Sequence, residues 1–142
     1  MATTTKEFEN KIEKATSWDE MKQILSQLPK TTFVVRISEL CDKYCMNFSK
    51  VQKETGITKS LFYSIVNGNR KPQKHHIIKI GLAIRASVEE TNELLKLAQH
   101  KELYAKNKDD AIIIFGIKSK LRIEEIEELL IDTGATLSLL EK

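Results

Sequence analysis

Apolar residues recur at helical spacing along almost the whole chain, separated by short polar segments. In most segments they fall three or four positions apart, which places them on one face of an α-helix. Only two prolines and five glycines interrupt this pattern. Because these residues mark most turns and loops, few loops are expected. The pattern predicts helices over about residues 6–15, 17–28, 32–46, 49–55, 58–67, 73–86, 87–98, 109–118 and 123–131.

Capping residues mark several of the predicted helix ends. Three helices start with serine followed three residues later by glutamate or glutamine, a capping box in which the two side chains satisfy amides at the helix start. These pairs are Ser17 with Glu20, Ser49 with Gln52, and Ser87 with Glu90. Asp109 is the expected cap of the helix that follows it. Pro29 and Gly134 mark the ends of two other helices.

One apolar run has an ambiguous period. Residues 110–117, DAIIIFGI, are rich in branched side chains and would also suit a buried strand. No other segment has a strand pattern, and a single strand would lack partners for its backbone hydrogen bonds. We therefore predict a helix here, followed by an acidic amphipathic helix at 123–131. The predicted fold class is all-α.

The stretch GITKSLFYSIVNGNRKP, residues 56–72, is the most informative part of the chain. Gly56 permits a left-handed backbone and hence a sharp turn after a short helix. Thr58 is an N-cap type for the next helix, and Gly68 stops that helix. Ile57 is apolar and should pin the turn to a core. Apolar residues at helical spacing then predict the buried side of the helix: Leu61, Phe62, Ile65 and Val66. Polar residues fall largely off this stripe: Lys59, Ser60, Tyr63, Ser64 and Asn67.

This stretch resembles the helix-turn-helix family of phage-repressor type, which includes lambda repressor, Cro and Xre-like regulators. That family has a Gly-Ile or Gly-Val turn, a recognition helix begun by serine or threonine, a glycine stop, and a basic loop closing on proline. The matching positions are Gly56, Ile57, Thr58, Ser60, Ile65, Gly68, Arg70, Lys71 and Pro72. The similarity extends over about residues 39–98. The chain departs from the family at Gln52, where a small residue is usual, and Gln52 is a candidate brace for the recognition helix.

The resemblance implies a domain organisation. A five-helix, lambda-repressor-like helix-turn-helix domain would occupy residues 32–99, preceded by an N-terminal helical extension at 1–31. Residues 100–142 would form a C-terminal two-helix extension that packs on the core or forms a dimer or partner surface. This tail resembles that of small stand-alone Xre-like proteins of Gram-positive bacteria.

The resemblance also implies roles for individual residues. In the family, the recognition helix enters the major groove with its N-terminal residues nearest to the base edges. Carried over by position, this implies base contacts from Lys59, Ser60 and Tyr63. The implied contacts to the DNA backbone are Lys50, Lys53, Thr58, Ser64, Asn67, Asn69, Arg70 and Lys71. One such domain buries too little surface for tight specificity, so we expect a homodimer on a palindromic site.

Charge is distributed unevenly in a chain whose formal net charge is only +3. No Asp or Glu occurs from Thr55 to Val88, a segment with six cations: Lys59, Arg70, Lys71, Lys74, Lys79 and Arg85. In residues 101–142 acidic residues outnumber basic ones, with nine Asp or Glu and seven Lys or Arg. A basic segment that coincides with the motif is typical of a nucleic-acid binder, although an ordinary solvated basic face has the same composition.

The remaining reactive residues favour structural roles. Cys41 and Cys45 lie on a predicted apolar face, and we expect two buried thiols. We expect Trp18 to anchor the N-terminal helices on the core. Neighbouring residues on a helix point about 100° apart, so His75 and His76 cannot share a metal ion. We expect these histidines near phosphates or in solvent, and we expect neither a metal nor a cofactor.

Nothing in the sequence indicates an enzyme or a membrane protein. The motifs GxxxxGK[ST], GxGxxG and HExxH are absent. A nucleophilic pair of Cys41 with a histidine would need an exposed thiol, and Cys41 lies on the apolar face. No long uncharged apolar run occurs, and the first residues lack the apolar core of a signal peptide. We therefore expect a cytoplasmic protein with no membrane partner.

Two functions stay open. The first is a sequence-specific double-stranded DNA-binding protein that regulates transcription. The second is a protein–protein interaction adaptor that keeps the helix-turn-helix fold. The single cation on the recognition helix favours the adaptor, and the polar residues beside a basic loop favour DNA. The helix at 123–131 is either a dimer or partner surface, or it packs on residues 112–117 and the N-terminal helices.

Overall fold

A computed structural model of the chain describes residues 5–27 and 31–139. Over these residues the protein is all-α, with nine helices and no β-strand, so the predicted fold class is confirmed. None of the described helices has the length and apolar character needed to span a membrane. The helices are α1 (Thr5–Lys14), α2 (Trp18–Gln27), α3 (Phe33–Lys43), α4 (Phe48–Thr55), α5 (Lys59–Val66), α6 (Lys74–Ile84), α7 (Val88–Leu97), α8 (Lys108–Lys118) and α9 (Ile123–Asp132).

The chain divides into two compact units, Met1–Thr31 and Thr32–Lys142. In the first unit α1 and α2 pack on each other, and Phe8 and Ile24 are buried. The expectation that Trp18 is an anchor is wrong, because its side chain is 64% exposed. Trp18 stands in the first turn of α2, where residues 16–20 are all exposed. The predicted end of α2 before Pro29 lies outside the described residues.

Helix α6 is the centre of the second unit. Every residue from His76 to Ile84 is buried, and α6 contacts α4, α7 and α9. A helix that is apolar nearly all round must be covered on several sides. Gly81 permits close approach to α7, because a Cβ atom there would lie 2.9 Å from Oγ1 of Thr91. Helix α3 packs on both α5 and α7.

Helices α8 and α9 pack on each other and on the core. The run at 110–117 is helical, as predicted, and lies in α8. Gly116 permits the close contact with α9, because a Cβ atom there would lie 2.5 Å from side-chain atoms of Ile126. The apolar side of α9 is buried, and α9 contacts α8 and α6. Helix α9 therefore packs on the helix that contains residues 112–117. A dimer or partner surface on its exposed side stays a prediction.

Helix α4 begins earlier than predicted. Oδ1 of Asn47 accepts a hydrogen bond from the amide of Lys50 at 2.8 Å, so Asn47 is the N-cap. The predicted cap, Ser49, lies inside the first turn. Both residue types are good N-caps. Asn47 takes the role because its backbone is extended, with φ −116° and ψ 160°.

The N-cap of α8 also lies two residues before the predicted one. Oδ1 of Asn107 accepts from the amide of Asp110 at 3.0 Å, so the predicted cap, Asp109, is wrong. The Asp109 carboxylate instead accepts from the Thr136 hydroxyl at 3.0 Å and from the Leu137 amide at 3.1 Å. Asp109 therefore holds the segment after α9 against the start of α8.

Helix α3 ends at Lys43, three residues before the predicted end. Cys45 has a left-handed backbone with φ 57°, and the amide of Met46 donates to the carbonyl oxygen of Cys41 at 2.8 Å. This reversal places Cys45 outside the helix and in solvent. Cys41 is buried, as predicted, but the prediction of a second buried thiol is wrong because Cys45 is exposed.

Glu90 ties α3 to α7. As predicted, Ser87 and Glu90 form a capping box: Ser87 Oγ accepts from the Glu90 amide at 3.1 Å, and the Glu90 carboxylate accepts from the Ser87 amide at 2.9 Å. The same carboxylate accepts from Lys43 Nζ at 2.6 Å and from the Tyr44 hydroxyl at 2.5 Å. Burial raises the pKa of Glu90, but the bonds from Lys43, Ser87 and Tyr44 outweigh burial and lower this pKa to about 2.

Candidate nucleic-acid interface

A tight turn joins α4 to α5. Gly56 has φ 72°, the left-handed conformation predicted for it, and its amide donates to the carbonyl oxygen of Gln52 at 3.2 Å. The Gln52 side chain reaches across the turn, where Nε2 donates to the carbonyl oxygen of Ile57 at 2.6 Å. Ile57 is fully buried. Gln52 therefore braces the turn immediately before α5.

One buried side fixes α5. Thr58 caps the helix as predicted, with Oγ1 accepting from the amide of Leu61 at 3.4 Å. Phe62, Ile65 and Val66 are buried, and α5 packs on α3. The Phe62 ring makes an edge contact with the Phe48 ring of α4, with 6.0 Å between centroids. The two short helices are thus joined by a ring contact as well as by the turn.

Phe48 is a residue of this site that the predicted helix boundaries leave out, because the helix was expected to span residues 49–55. The spacing of residues 48, 51 and 55 places them on one side of a helix, and this pattern indicates that Phe48 belongs to the buried side of α4. In the structure Val51 and Thr55 are buried on α4, and Phe48 packs against the core beside them. The early start of α4 at Asn47 is what brings Phe48 into the helix.

The three predicted base-contact residues share the exposed side of α5. Lys59 and Ser60 stand in its first turn, and Tyr63 follows in the next. Residues three and four apart are neighbours on a helix surface, so Tyr63 lies beside both. All three are exposed. The Tyr63 ring packs edge-on against Phe62, with 5.4 Å between centroids, which restrains the tyrosine on this face.

The predicted backbone-contact residues lie on α4, at the cap and in the second half of α5, and in the loop that follows it. Most of them are exposed: Lys50, Lys53, Thr58, Asn67, Asn69, Arg70 and Lys71. Ser64 differs from the others, because it is half-buried. Its carbonyl oxygen accepts from the amides of Asn69 and Arg70, at 2.9 and 3.1 Å. Ser64 therefore helps to hold the basic loop.

The loop at residues 67–72 is fixed at both ends. At its start Gly68 has φ 82°, and a Cβ atom there would lie 3.3 Å from Cγ2 of Val34. At its end Pro72 is buried, and its carbonyl oxygen lies 2.9 Å from Nε2 of His100. A carbonyl oxygen can only accept, so His100 Nε2 is the donor. Between these anchors Arg70 and Lys71 are exposed.

The basic segment counted from the sequence divides into two groups. Lys59, Arg70, Lys71 and Arg85 are exposed, and none forms an ion pair within the described ranges. Lys74 Nζ lies 2.7 Å from Oδ1 of the buried Asp110. Lys79 is only 1% exposed, because it stands on the buried helix α6. The exposed cations near α5 are therefore fewer than the sequence indicated.

The histidines lie at the start of α6. The rings of His75 and His76 are 4.0 Å apart between centroids. The expectation that both lie near phosphates or in solvent is wrong for His76, which is buried. Its Nδ1 accepts from the amide of Gln73 at 3.4 Å and so belongs to the cap of α6.

Comparisons of this chain with protein-family models, with curated proteins and with solved structures found no match.

Proposed function

We propose that this protein binds double-stranded DNA in a sequence-specific manner and regulates transcription. Residues 32–99 would act as a five-helix, lambda-repressor-like helix-turn-helix domain built from α3 to α7. Helix α5 would enter the major groove, which is wide enough to admit an α-helix. Helix α4 would lie across the phosphate backbone, as the first helix of such a pair does.

One observation carries this proposal. Lys59, Ser60 and Tyr63 form an exposed row on a short helix whose opposite side is buried. A helix held this firmly can present side chains to base edges in one register. Lysine donates to guanine acceptors, serine can donate or accept, and an aromatic ring can pack on a thymine methyl group.

The flanking groups suit the DNA backbone. Arg70 and Lys71 project from the fixed loop after α5, and Lys50 and Lys53 are exposed on α4. Cations on both sides of a reading helix position it on the duplex without reading sequence. One domain of this kind buries little surface, so a homodimer on two half-sites is part of the proposal.

The test is the salt dependence of binding to a duplex. Each phosphate contact contributes about 0.9 to the slope of log K against log salt concentration. Removing both loop cations with Arg70→Ala and Lys71→Ala should weaken binding and reduce this slope by up to about 1.8 per protomer. Fluorescence anisotropy across salt concentrations gives both quantities.

A matched variant controls for net charge. Lys106→Ala with Lys108→Ala removes two exposed lysines outside the proposed interface, one just before α8 and one at its first residue. This variant should keep the wild-type affinity to within about twofold and should leave the salt slope unchanged, since it leaves the contacts to phosphate in place. Equal effects of the two double variants would oppose the proposal, because binding would then follow net charge alone.

The adaptor is the second candidate, and exposed apolar side chains favour it. Phe115 on α8 is 57% exposed, and Ile131 on α9 is 67% exposed. Large apolar side chains in solvent can mark a protein contact. In this version α9, with its acidic outer side, would contact the partner, and the chain would show no preference among DNA sequences.

A further inference from the structure

A cleft of about 600 Å³ lies away from α5 and its basic loop. It is bounded by the end of α3, by the turn between α6 and α7, and by the end of α8 with the residues that follow. A cleft of this size can hold a small organic molecule. Its lining residues are Tyr44, Arg85, Ala86, Ser87, Val88, Glu89, Ile117, Lys118 and Lys120.

The floor of the cleft is apolar. Ala86 is buried, and Val88 and Ile117 are half-buried. Tyr44 also lines the cleft. Its hydroxyl is already engaged, since it donates to the Glu90 carboxylate at 2.5 Å. A ligand on this floor gains from burying an aliphatic or aromatic part against these side chains.

The rim of the cleft is cationic. Arg85, Lys118 and Lys120 are exposed, and none forms an ion pair with another described residue. Glu89 is the one acidic side chain among the lining residues. The rim thus carries an excess of positive charge beside an apolar floor, which is complementary to an anion with an apolar body.

The backbones of Arg85 and Lys120 are fixed at the ends of two helices. Arg85 has φ 76° and Lys120 has φ 55°, so both occupy the left-handed position that ends a helix. The following amides close these ends by donating to the carbonyl oxygens of Gly81 and Gly116, each at 2.9 Å. Because these helix ends are fixed, the backbones of both cations are fixed on the two sides of the cleft before a ligand arrives.

We infer that this cleft binds a small amphipathic anion, with a carboxylate or phosphate at the cationic rim and an aliphatic or aromatic body on the floor. The site uses no residue of α5 or of the loop at 67–72. The two proposals can therefore be tested separately, and failure of one does not bear on the other.

The experiment is a nitrogen–proton NMR titration of the full chain with octanoate, and with 1-octanol as the uncharged counterpart. Octanoate should shift the amides of residues 85–89 and 117–120. The charge should matter, so octanol should bind at least about fivefold more weakly. Lys118→Gln with Lys120→Gln should weaken octanoate binding by a similar factor, whereas Lys106→Gln with Lys108→Gln should leave it unchanged.

The inference is overturned if octanoate leaves the amides of residues 85–89 and 117–120 unshifted, or if it shifts only amides elsewhere in the chain. It is also overturned if octanoate and octanol bind equally, or if the two lysine variants behave alike. The substituted lysines are exposed, so each variant should give a spectrum with wild-type dispersion. That spectrum verifies folding in the same experiment.

Discussion

The side-chain amide of Gln52 donates a 2.6 Å hydrogen bond to the backbone carbonyl of Ile57 across the turn between α4 and α5. Ile57 is fully buried, so few alternatives exist for this carbonyl group. The contact sets the chain direction just before Thr58, the cap of α5. The position of the proposed reading helix therefore depends on a polar side chain of the preceding helix.

Gln52→Ala removes this donor and leaves the Ile57 carbonyl without it. We expect a loss of about 1–2 kcal/mol in the free energy of unfolding, measured by urea denaturation. DNA affinity should fall further than stability accounts for, because α5 loses its brace. Lys50→Ala, an exposed change on the same helix, should leave stability within about 0.5 kcal/mol of wild type. Unchanged stability of the Gln52 variant would argue against the brace.

The start of α4 can be tested with two neighbouring substitutions. Asn47→Ala removes the observed cap and should cost about 1 kcal/mol of stability. Ser49→Ala, at the position predicted from the sequence, should change stability by less than about 0.5 kcal/mol. Thermal or urea unfolding of the two variants measures which substitution costs more stability. The opposite order would place the helix start at Ser49.

Glu90 should make stability depend on acid pH. The folded state lowers the pKa of Glu90 from 4.5 to about 2. A lowered carboxyl pKa gives stability that is full above the unfolded pKa and is lost as pH falls through the folded pKa. Its contribution, about 3 kcal/mol at neutral pH, should therefore decline between about pH 4.5 and pH 2.

The check is urea unfolding of wild type and Glu90→Gln at several pH values. The variant should be less stable by about 3 kcal/mol near neutral pH, and the difference should shrink towards about pH 2. Glu89→Gln, an exposed neighbour, is the control and should show little difference at any pH. A stability difference for Glu90→Gln that stays constant with pH would contradict the role assigned to its hydrogen bonds.

Helix positions were predictable because their signal is local. The run at 110–117 is an exception, since its local composition suited a strand and only the lack of a partner strand elsewhere in the sequence decided for a helix. The turn at Gly56 and the cap at Thr58 were also predictable, because few residue types suit those backbone conformations. The exposed row on α5 followed from helical periodicity once the start of that helix was known.

The remaining features depend on tertiary packing. Asn47 and Ser49 are both suitable caps, and the local sequence does not select between them. In the structure the start at Asn47 coincides with the packing of Phe48 against Phe62. Lys79 is counted as a surface cation by composition, but it stands on a helix that is covered on several sides. Trp18 shows the reverse case, since its size favours burial but its place in the exposed first turn of α2 decides otherwise.

The most direct test of the central claim is selection from a pool of random duplexes at about 150 mM salt, where sequence-blind electrostatic binding is weakened. The account predicts recovery of a palindromic motif whose binding is lost in Lys59→Ala and in Tyr63→Ala, while both variants keep wild-type unfolding curves. Weak, salt-sensitive retention with no shared motif would contradict it, and would favour a protein partner for this chain.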